Sequence, residues 1–283
     1  MPEYEALHFQ NTITMIRDID LQATTTPGMN YTACYQQPFV SLYNEDCLET
    51  MKRIPDKSID LLLQDPPYNT TNCEWDVKIN FADLWKEWER VCKPNAAMIF
   101  TASQPFATDM INSNRKNFRY ELIWDKIRAA GFLNANRMPL KTHENILVFY
   151  RELPTYNPQK MDGRKYDKTK YNGNKVEKNV IGTYISESAK NEGERFPVSI
   201  MVFSQDWTRQ EQIHPTQKPI DLMRYLILTY SNKGETVFDG YSGSGTTAEA
   251  CIIEGRKFIG SELNKEYFDK SVSRLKNVPT QLF

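Results

Sequence analysis

Asp65-Pro66-Pro67-Tyr68 places an acid, a rigid carbonyl and an aromatic ring within four residues, at the end of the apolar-rich run Ile59-Asp60-Leu61-Leu62-Leu63-Gln64. The run reads as a buried strand, and the paired prolines stop it. Proline fixes its own φ, lacks an N–H, and pushes the preceding residue toward an extended conformation. The carboxylate of Asp65 and the carbonyl of Pro66 can then accept the two N–H donors of an aromatic amine, while the ring of Tyr68 stacks on the heterocycle. Taken alone, the four residues fit an ordinary strand-ending turn at least as well.

A second stretch carries different chemistry. Glu235-Thr236-Val237-Phe238 reads as a strand ending in Asp239, followed by Gly240-Tyr241-Ser242-Gly243-Ser244-Gly245. Thr246-Thr247-Ala248-Glu249 then has the form of a capping box opening a helix. Bare backbone N–H groups at such a turn can approach a ligand. The glycine spacing of a P-loop is present, but Thr246 stands where the lysine belongs, and the dinucleotide fingerprint fails because the close pair Gly243 and Gly245 comes last. A nucleoside with a short zwitterionic tail fits better. Asp239 accepts from an ammonium, the glycines admit the tail, and Glu262, after the next strand (Lys257 to Ser261), accepts from two ribose hydroxyls.

These residues need elements to hold them. Phe39 to Tyr43, Ile59 to Gln64, Ala96 to Thr101, Tyr120 to Trp124 and Asn145 to Tyr150 read as strands. Asn80 caps a helix whose apolar positions Phe81, Leu84, Trp85 and Trp88 fall at i, i+3, i+4, i+7. Further helices run from Cys47 to Ile54, from Gln104 to Asn114, and through Met223, Leu226, Ile227 and Tyr230 after Lys218-Pro219. Asn264 caps a last one, with Tyr267, Phe268, Val272 and Leu275 as its buried side. Strands alternating with helices predict an α/β fold with a doubly wound, mostly parallel sheet. Residues 1–36, where Phe9, Ile13 and Ile16 have helical spacing, form an arm of unassigned role. Residues 37–150 and 206–283 are the two halves of the domain. Residues 151–205 are polar, show no sustained period, and are too long for an ordinary loop.

Composition narrows the class. The 283 residues have a formal net charge of −1, which argues against a uniformly basic nucleic-acid binder. Seven Lys/Arg nevertheless fall within 115–141 against Glu121 and Asp125 only, and another seven within 160–178 against Asp162, Asp167 and Glu177; a local basic face of this kind can dock a polyanion, though taken alone these charges fit a solvated loop better. The five cysteines form no C-x-x-C pair and the three histidines do not cluster with them. Neither a metal site nor a disulfide framework is expected, and a reduced, cytoplasmic protein is. No apolar run approaches the roughly 20 residues that span a bilayer, so no membrane partner is expected.

The combination of Asp65-Pro66-Pro67-Tyr68, His214-Pro215-Thr216-Gln217-Lys218-Pro219, Asp239 to Thr247, and Gly260-Ser261-Glu262 with Asn264 and Tyr267 resembles the amino-directed DNA methyltransferases. The acceptor motif precedes the cofactor motif with a variable segment between them, which is the β arrangement. The resemblance spans roughly Ser41 to Leu275. It implies a Rossmann-like, S-adenosylmethionine-dependent methyltransferase fold with circularly permuted motif order, and a target-recognition region inserted at 151–205.

For the site, the resemblance implies Asp65, Pro66, Pro67 and Tyr68 as catalytic residues. Asp46 and Cys47 lie against the adenine of S-adenosylmethionine, and Thr216 and Lys218 hold its carboxylate. The turn Asp239, Gly240, Tyr241, Ser242, Gly243, Ser244, Gly245 and Thr246 completes the cofactor pocket with Glu262, the tail lined by Gly243, Gly245 and Thr246. The family usually has Asp-Pro-Phe where this chain has Asp239-Gly240-Tyr241, and Gly240 is expected to loosen the turn. An acid at the first acceptor position goes mostly with adenine N6, and serine mostly with cytosine N4. The expected reaction is methyl transfer to adenine N6 of a base flipped out of double-stranded DNA. Alternatives are cytosine N4, a DNA-binding relative without turnover, and an RNA or protein amide acceptor. A homodimer and a cognate restriction endonuclease are further partners. The whole expectation requires the Asp65 and Asp239 turns to meet beyond the carboxyl ends of the strands, where strand order reverses.

Overall fold

The computed structural model describes residues 33–68, 80–167, 175–179, 182–186, 190–205 and 216–279. The helical spacing read at Phe9 to Ile16 and the pair His214-Pro215 lie outside the described residues. The chain divides into two compact units, one of residues 157–199 and one of everything else.

In the larger unit the elements are β1 (Cys34–Gln37), β2 (Val40–Tyr43), α1 (Cys47–Arg53), β3 (Ile59–Gln64), α2 (Phe81–Val91) and β4 (Cys92–Ala102). They continue with α3 (Phe106–Ser113), β5 (Phe118–Ala130), β6 (Lys141–Phe149), β7 (Ile200–Val202) and α4 (Ile220–Tyr230). β8 (Thr236–Asp239), α5 (Thr246–Glu254), β9 (Lys257–Ser261) and α6 (Lys265–Leu275) complete it. Nine strands form one sheet in the order β1-β2-β9-β8-β3-β4-β6-β5-β7. Only β1 and β6 run against the others, so the sheet is mostly parallel as expected.

Both faces of the sheet are covered, which explains the near-continuous apolar strands. Because side chains alternate along a strand, Leu61 and Leu63 of β3 face one layer and Leu62 the other. The first layer is α4, α5 and α6, with Leu226, Ile227, Cys251 and Phe268 buried against Val237 and Phe258. The second is α1, α2 and α3, with Met51, Trp85, Trp88 and Met110 against Phe100 and Phe149. Asn80 caps α2 through Ala82 N–H, and Asn264 caps α6 through the N–H groups of Glu266 and Tyr267, both as the sequence predicts.

Two boundaries move. Cys34 to Gln37 pairs antiparallel with β2 through a turn at Phe39, so the sheet begins inside the segment read as an arm. The inserted unit is also narrower than 151–205. Arg151 donates to the carbonyls of Cys92 and Lys93, Tyr156 packs on Tyr230, and β7 extends the sheet in parallel beside β5. Residues 157–199 carry three antiparallel ladders: 161–162 with 194–195, 166–167 with 190–191, and 175–179 with 182–186. A two-stranded ribbon has no second layer to bury a face against, which is why its sequence shows no sustained period.

Candidate active site

β3 and β8 are neighbours, with Leu61 beside Val237 and Leu62 beside Phe238. From β3 the chain crosses through α2 to β4 on one side; from β8 it crosses through α5 to β9 on the other. Strand order therefore reverses between them, the place where open α/β sheets leave a crevice. Buried Gln64 fastens the two ends: its Nε2 donates to the Phe238 carbonyl and its Oε1 accepts from Gly240 N–H, each at 3.1 Å.

The turn after β3 holds Asp65 from three sides. Its Oδ1 lies 2.9 Å from the Tyr68 hydroxyl and accepts from the hydroxyl of Thr101, at the end of β4. Its Oδ2 accepts from Lys218 Nζ at 2.6 Å. Lys218 is only 6% exposed and lies 3.6 Å from Glu144 Oε2, while Glu144 Oε1 accepts from Lys126 at 2.9 Å. Burial alone would lower the pKa of Lys218, but Asp65 and Glu144 outweigh it and the net shift is upward, so the side chain is an ammonium. Tyr68 packs on Phe106 with ring centroids 5.2 Å apart, and burial raises its phenol well above the usual range. The acceptor turn is thus a preorganised carboxylate beside an aromatic ring.

The turn after β8 is a second, separate environment. Asp239 is 2% exposed, and burial, opposed by Thr247 and by Tyr241 N–H, raises its pKa to about 7. A carboxylate so desolvated is suited to a cation. Ser242 Oγ is buried without a hydrogen-bond partner among the described residues. Gly245, at φ 75, is the N-cap of α5, and no side chain caps its first turn. The expected capping box is therefore absent. Glu249 instead pairs with Arg274 of α6, and Thr246 Oγ1 is 2.9 Å from Ser244 Oγ and accepts from Arg274 at 3.1 Å. The α5 N–H groups are left for a ligand's polar atoms.

Glu262 Oε2 accepts from Gly243 N–H and Oε1 from Asn264 N–H, both at 2.8 Å, so the acid expected at a ribose also braces the glycine turn. Burial raises its pKa against those two donors. Asp46 caps α1 through Leu48 N–H, and Cys47 Sγ is 3.6 Å from the Tyr241 hydroxyl, which sets both against the Asp239 turn. Gly240 does not loosen that turn. A Cβ there would stand 2.7 Å from Cys47 Cβ and 3.2 Å from Gln64 Oε1, so the glycine permits a close approach.

Lys218, expected at a cofactor carboxylate, instead lies against Asp65, Glu144 and, at 3.5 Å, the Thr216 carbonyl. Sequence reasoning missed Gln64, Thr101 and Glu144. Gln64 and Thr101 have a faint signal, a polar residue at the carboxyl-side end of a mostly apolar strand, and Glu144, in the polar half of β6, has none.

Residues 59–273 match the family described as DNA methylase. The chain is 28% identical over 266 residues to the DNA adenine methyltransferase YhdJ of Escherichia coli (strain K12), covering 83% of this chain and 82% of that protein. It is 27% identical over 248 residues to the orphan methyltransferase M.BamHII of Bacillus amyloliquefaciens, covering 80% and 92%. Among solved structures it is similar to the M1.HpyAVI–SAM complex, with TM-score 0.59 and 23% identity over 83% of this chain and 98% of that one. It is similar too to the PvuII DNA methyltransferase (cytosine-N4-specific), with TM-score 0.60 and 15% identity over 86% and 88%. At these identities the structural likeness concerns the fold.

Proposed function

The chain belongs to the DNA methylase family, and we propose that it transfers a methyl group from S-adenosylmethionine to the exocyclic N6 of adenine, in a base flipped out of double-stranded DNA. The observation that carries this reading is the fixed Asp65 carboxylate at the reversal of strand order, one strand away from the Asp239 turn. Adenine is preferred to cytosine because an acid, not a serine, begins the acceptor motif. The name of the E. coli relative favours it as well.

The donor set at the Asp239 turn fits S-adenosylmethionine. Asp239 takes its ammonium, the α5 N–H groups and Ser242 take polar atoms of its tail, Glu262 takes ribose hydroxyls, and Asp46 and Cys47 flank its adenine. Tyr241, Gly240, Gly243, Ser244, Gly245 and Thr246 shape the wall. When bound, the cofactor supplies an electrophilic methyl group.

The protein's own residues act on the acceptor amine. An ionised carboxylate has about four acceptor positions. Tyr68, Thr101 and Lys218 lie against three of those on Asp65, leaving room for one N–H of the amine, with the Pro66 carbonyl for the other. The amine is neutral and its N–H becomes acidic only as the new bond forms, so Asp65 accepts that N–H in the transition state rather than removing a proton beforehand. Acceptors of this kind match the transition state better than the substrate, and such positioning supplies roughly 7–11 kcal/mol of a barrier. Tyr68, backed by Phe106, stacks on the extruded base for about 1–3 kcal/mol.

Residues 157–199 read the target sequence in this proposal. A two-stranded ribbon is of a size to enter the major groove, and its lysines suit phosphates. A restriction endonuclease of matching specificity, a second copy of the chain, and a cytoplasmic location with unpaired cysteines such as Cys47 and Cys92 belong to the same proposal. Among the described residues no helix is long and apolar enough to cross a membrane. Long-read sequencing of DNA from cells expressing the protein tests the reading. N6-methyladenine in one short sequence context is expected, and unmodified DNA contradicts it.

A further inference from the structure

The β5–β6 hairpin projects beyond the rest of the sheet on the catalytic side. Thr101, which touches Asp65, is level with Ile146 of β6 and Leu122 of β5. Pairing continues past them to Ala130 and Lys141. Along β6 the step from Ile146 to Lys141 is roughly 16 Å at the rise of a strand. The tip is ordered by short-range bonds: Asn134 N–H to the Gly131 carbonyl, Arg137 N–H to Asn134, and Met138 N–H to Asn134.

What this tip presents is unusual for a solvent-facing turn. Phe132 is 70% exposed and Leu133 100%, with Ile127 and Met138 also exposed beside them. Residues 126–142 contain Lys126, Arg128, Arg137 and Lys141 and no acid. Arg128 and Arg137 are exposed. Lys126 and Lys141 anchor the base of the hairpin on Glu144 and Ser103. Ile127, a β-branched residue, sits at φ 64 in the bulge that leads to the tip. That conformation is strained for isoleucine, so the bulge is imposed on it. An apolar point with a basic collar matches the chemistry of side chains that enter a base stack: the apolar groups part the bases and the cations hold the phosphates.

We infer that Phe132 and Leu133 form a wedge that enters the duplex beside the target and fills the space from which the base is extruded. The inference rests on the DNA-methylating reading and adds to it the element that opens the stack. The hairpin is on the correct side for this. Through Lys126, Glu144 and Lys218 its base is linked by ion pairs to the Asp65 carboxylate that receives the extruded base.

The test uses the full chain and two duplexes carrying the site mapped from methylated cellular DNA. One is fully paired; in the other the target adenine faces an abasic position and is already unpaired. Phe132→Ser/Leu133→Ser is expected to methylate the paired duplex about tenfold or more slowly than wild type. It should approach the wild-type rate on the unpaired one, with thermal stability and cofactor affinity unchanged. Phe132→Leu/Leu133→Met, which keeps an apolar point, is expected to keep the wild-type rate on both. Equal rates for the serine variant and wild type on paired DNA overturn the wedge, as does an equal loss on both duplexes. Absence of methylation by wild type on either duplex removes the underlying reading instead.

Discussion

Buried Lys218 and half-buried Asp65 form an ion pair, Nζ to Oδ2 at 2.6 Å, between a lysine just before α4 and an acid just after β3. Removing one member of a buried pair leaves the other charge uncompensated, typically at a cost of about 3–5 kcal/mol. Lys218→Met leaves Asp65, which keeps part of its contact with solvent, so it is expected to lower stability by less than that and to reduce methyl transfer to near background. Adding Asp65→Asn should recover most of the stability and none of the activity. Urea unfolding and methyl incorporation, measured on the same preparations, separate the two effects.

The two turns should fail differently. Asp65→Ala is expected to abolish methyl transfer while cofactor binding persists, because Asp65 faces the amine. Asp239→Ala should weaken cofactor binding first. Calorimetric titration with S-adenosylmethionine checks both, and the opposite pattern would mean that the sites are exchanged.

Asp239 also sets a pH dependence. Its pKa in the free protein is about 7, against 3.8 for an unperturbed carboxylate, chiefly because it is buried. Between those values the folded protein holds a proton that the unfolded chain has lost, so this group's contribution to stability declines as pH rises through about 7. A cationic ligand favours the ionised form. Cofactor affinity is expected to rise with pH through the same window, with proton release on binding. Titration in buffers of different ionisation enthalpy measures that release, and Asp239→Asn should remove it.

Gly240→Ala tests the packing of the cofactor turn. The added methyl would meet Cys47 Cβ at 2.7 Å, and overpacking of this kind costs about 1–3 kcal/mol. Reduced thermal stability together with weaker cofactor binding is expected. An unchanged protein would show that the turn has slack.

Much of this was legible in the sequence because local signals and fold agree. Apolar β3 stopped by two prolines, Asn80 and Asn264 as caps, and the glycine turn after β8 each announce their own conformation. The capping box at Thr246 misled because the motif cannot show that Gly245 takes the cap position and Arg274 claims Glu249. Gln64 and Thr101 are faint in sequence and Glu144 silent, since what matters is the strand beside each, and adjacency is a product of topology. The limits of the insert were blurred because a solvated ribbon and a loop have similar compositions.

The central claim is that an extruded adenine meets the methyl donor at Asp65, and one measurement addresses it directly. Purified protein is incubated with duplex DNA and donor labelled in its methyl group, and the DNA is then digested to nucleosides and analysed by mass. The account predicts labelled N6-methyl-2′-deoxyadenosine with wild type and none with Asp65→Asn. Label in N4-methylcytosine, or undiminished label with Asp65→Asn, would contradict it.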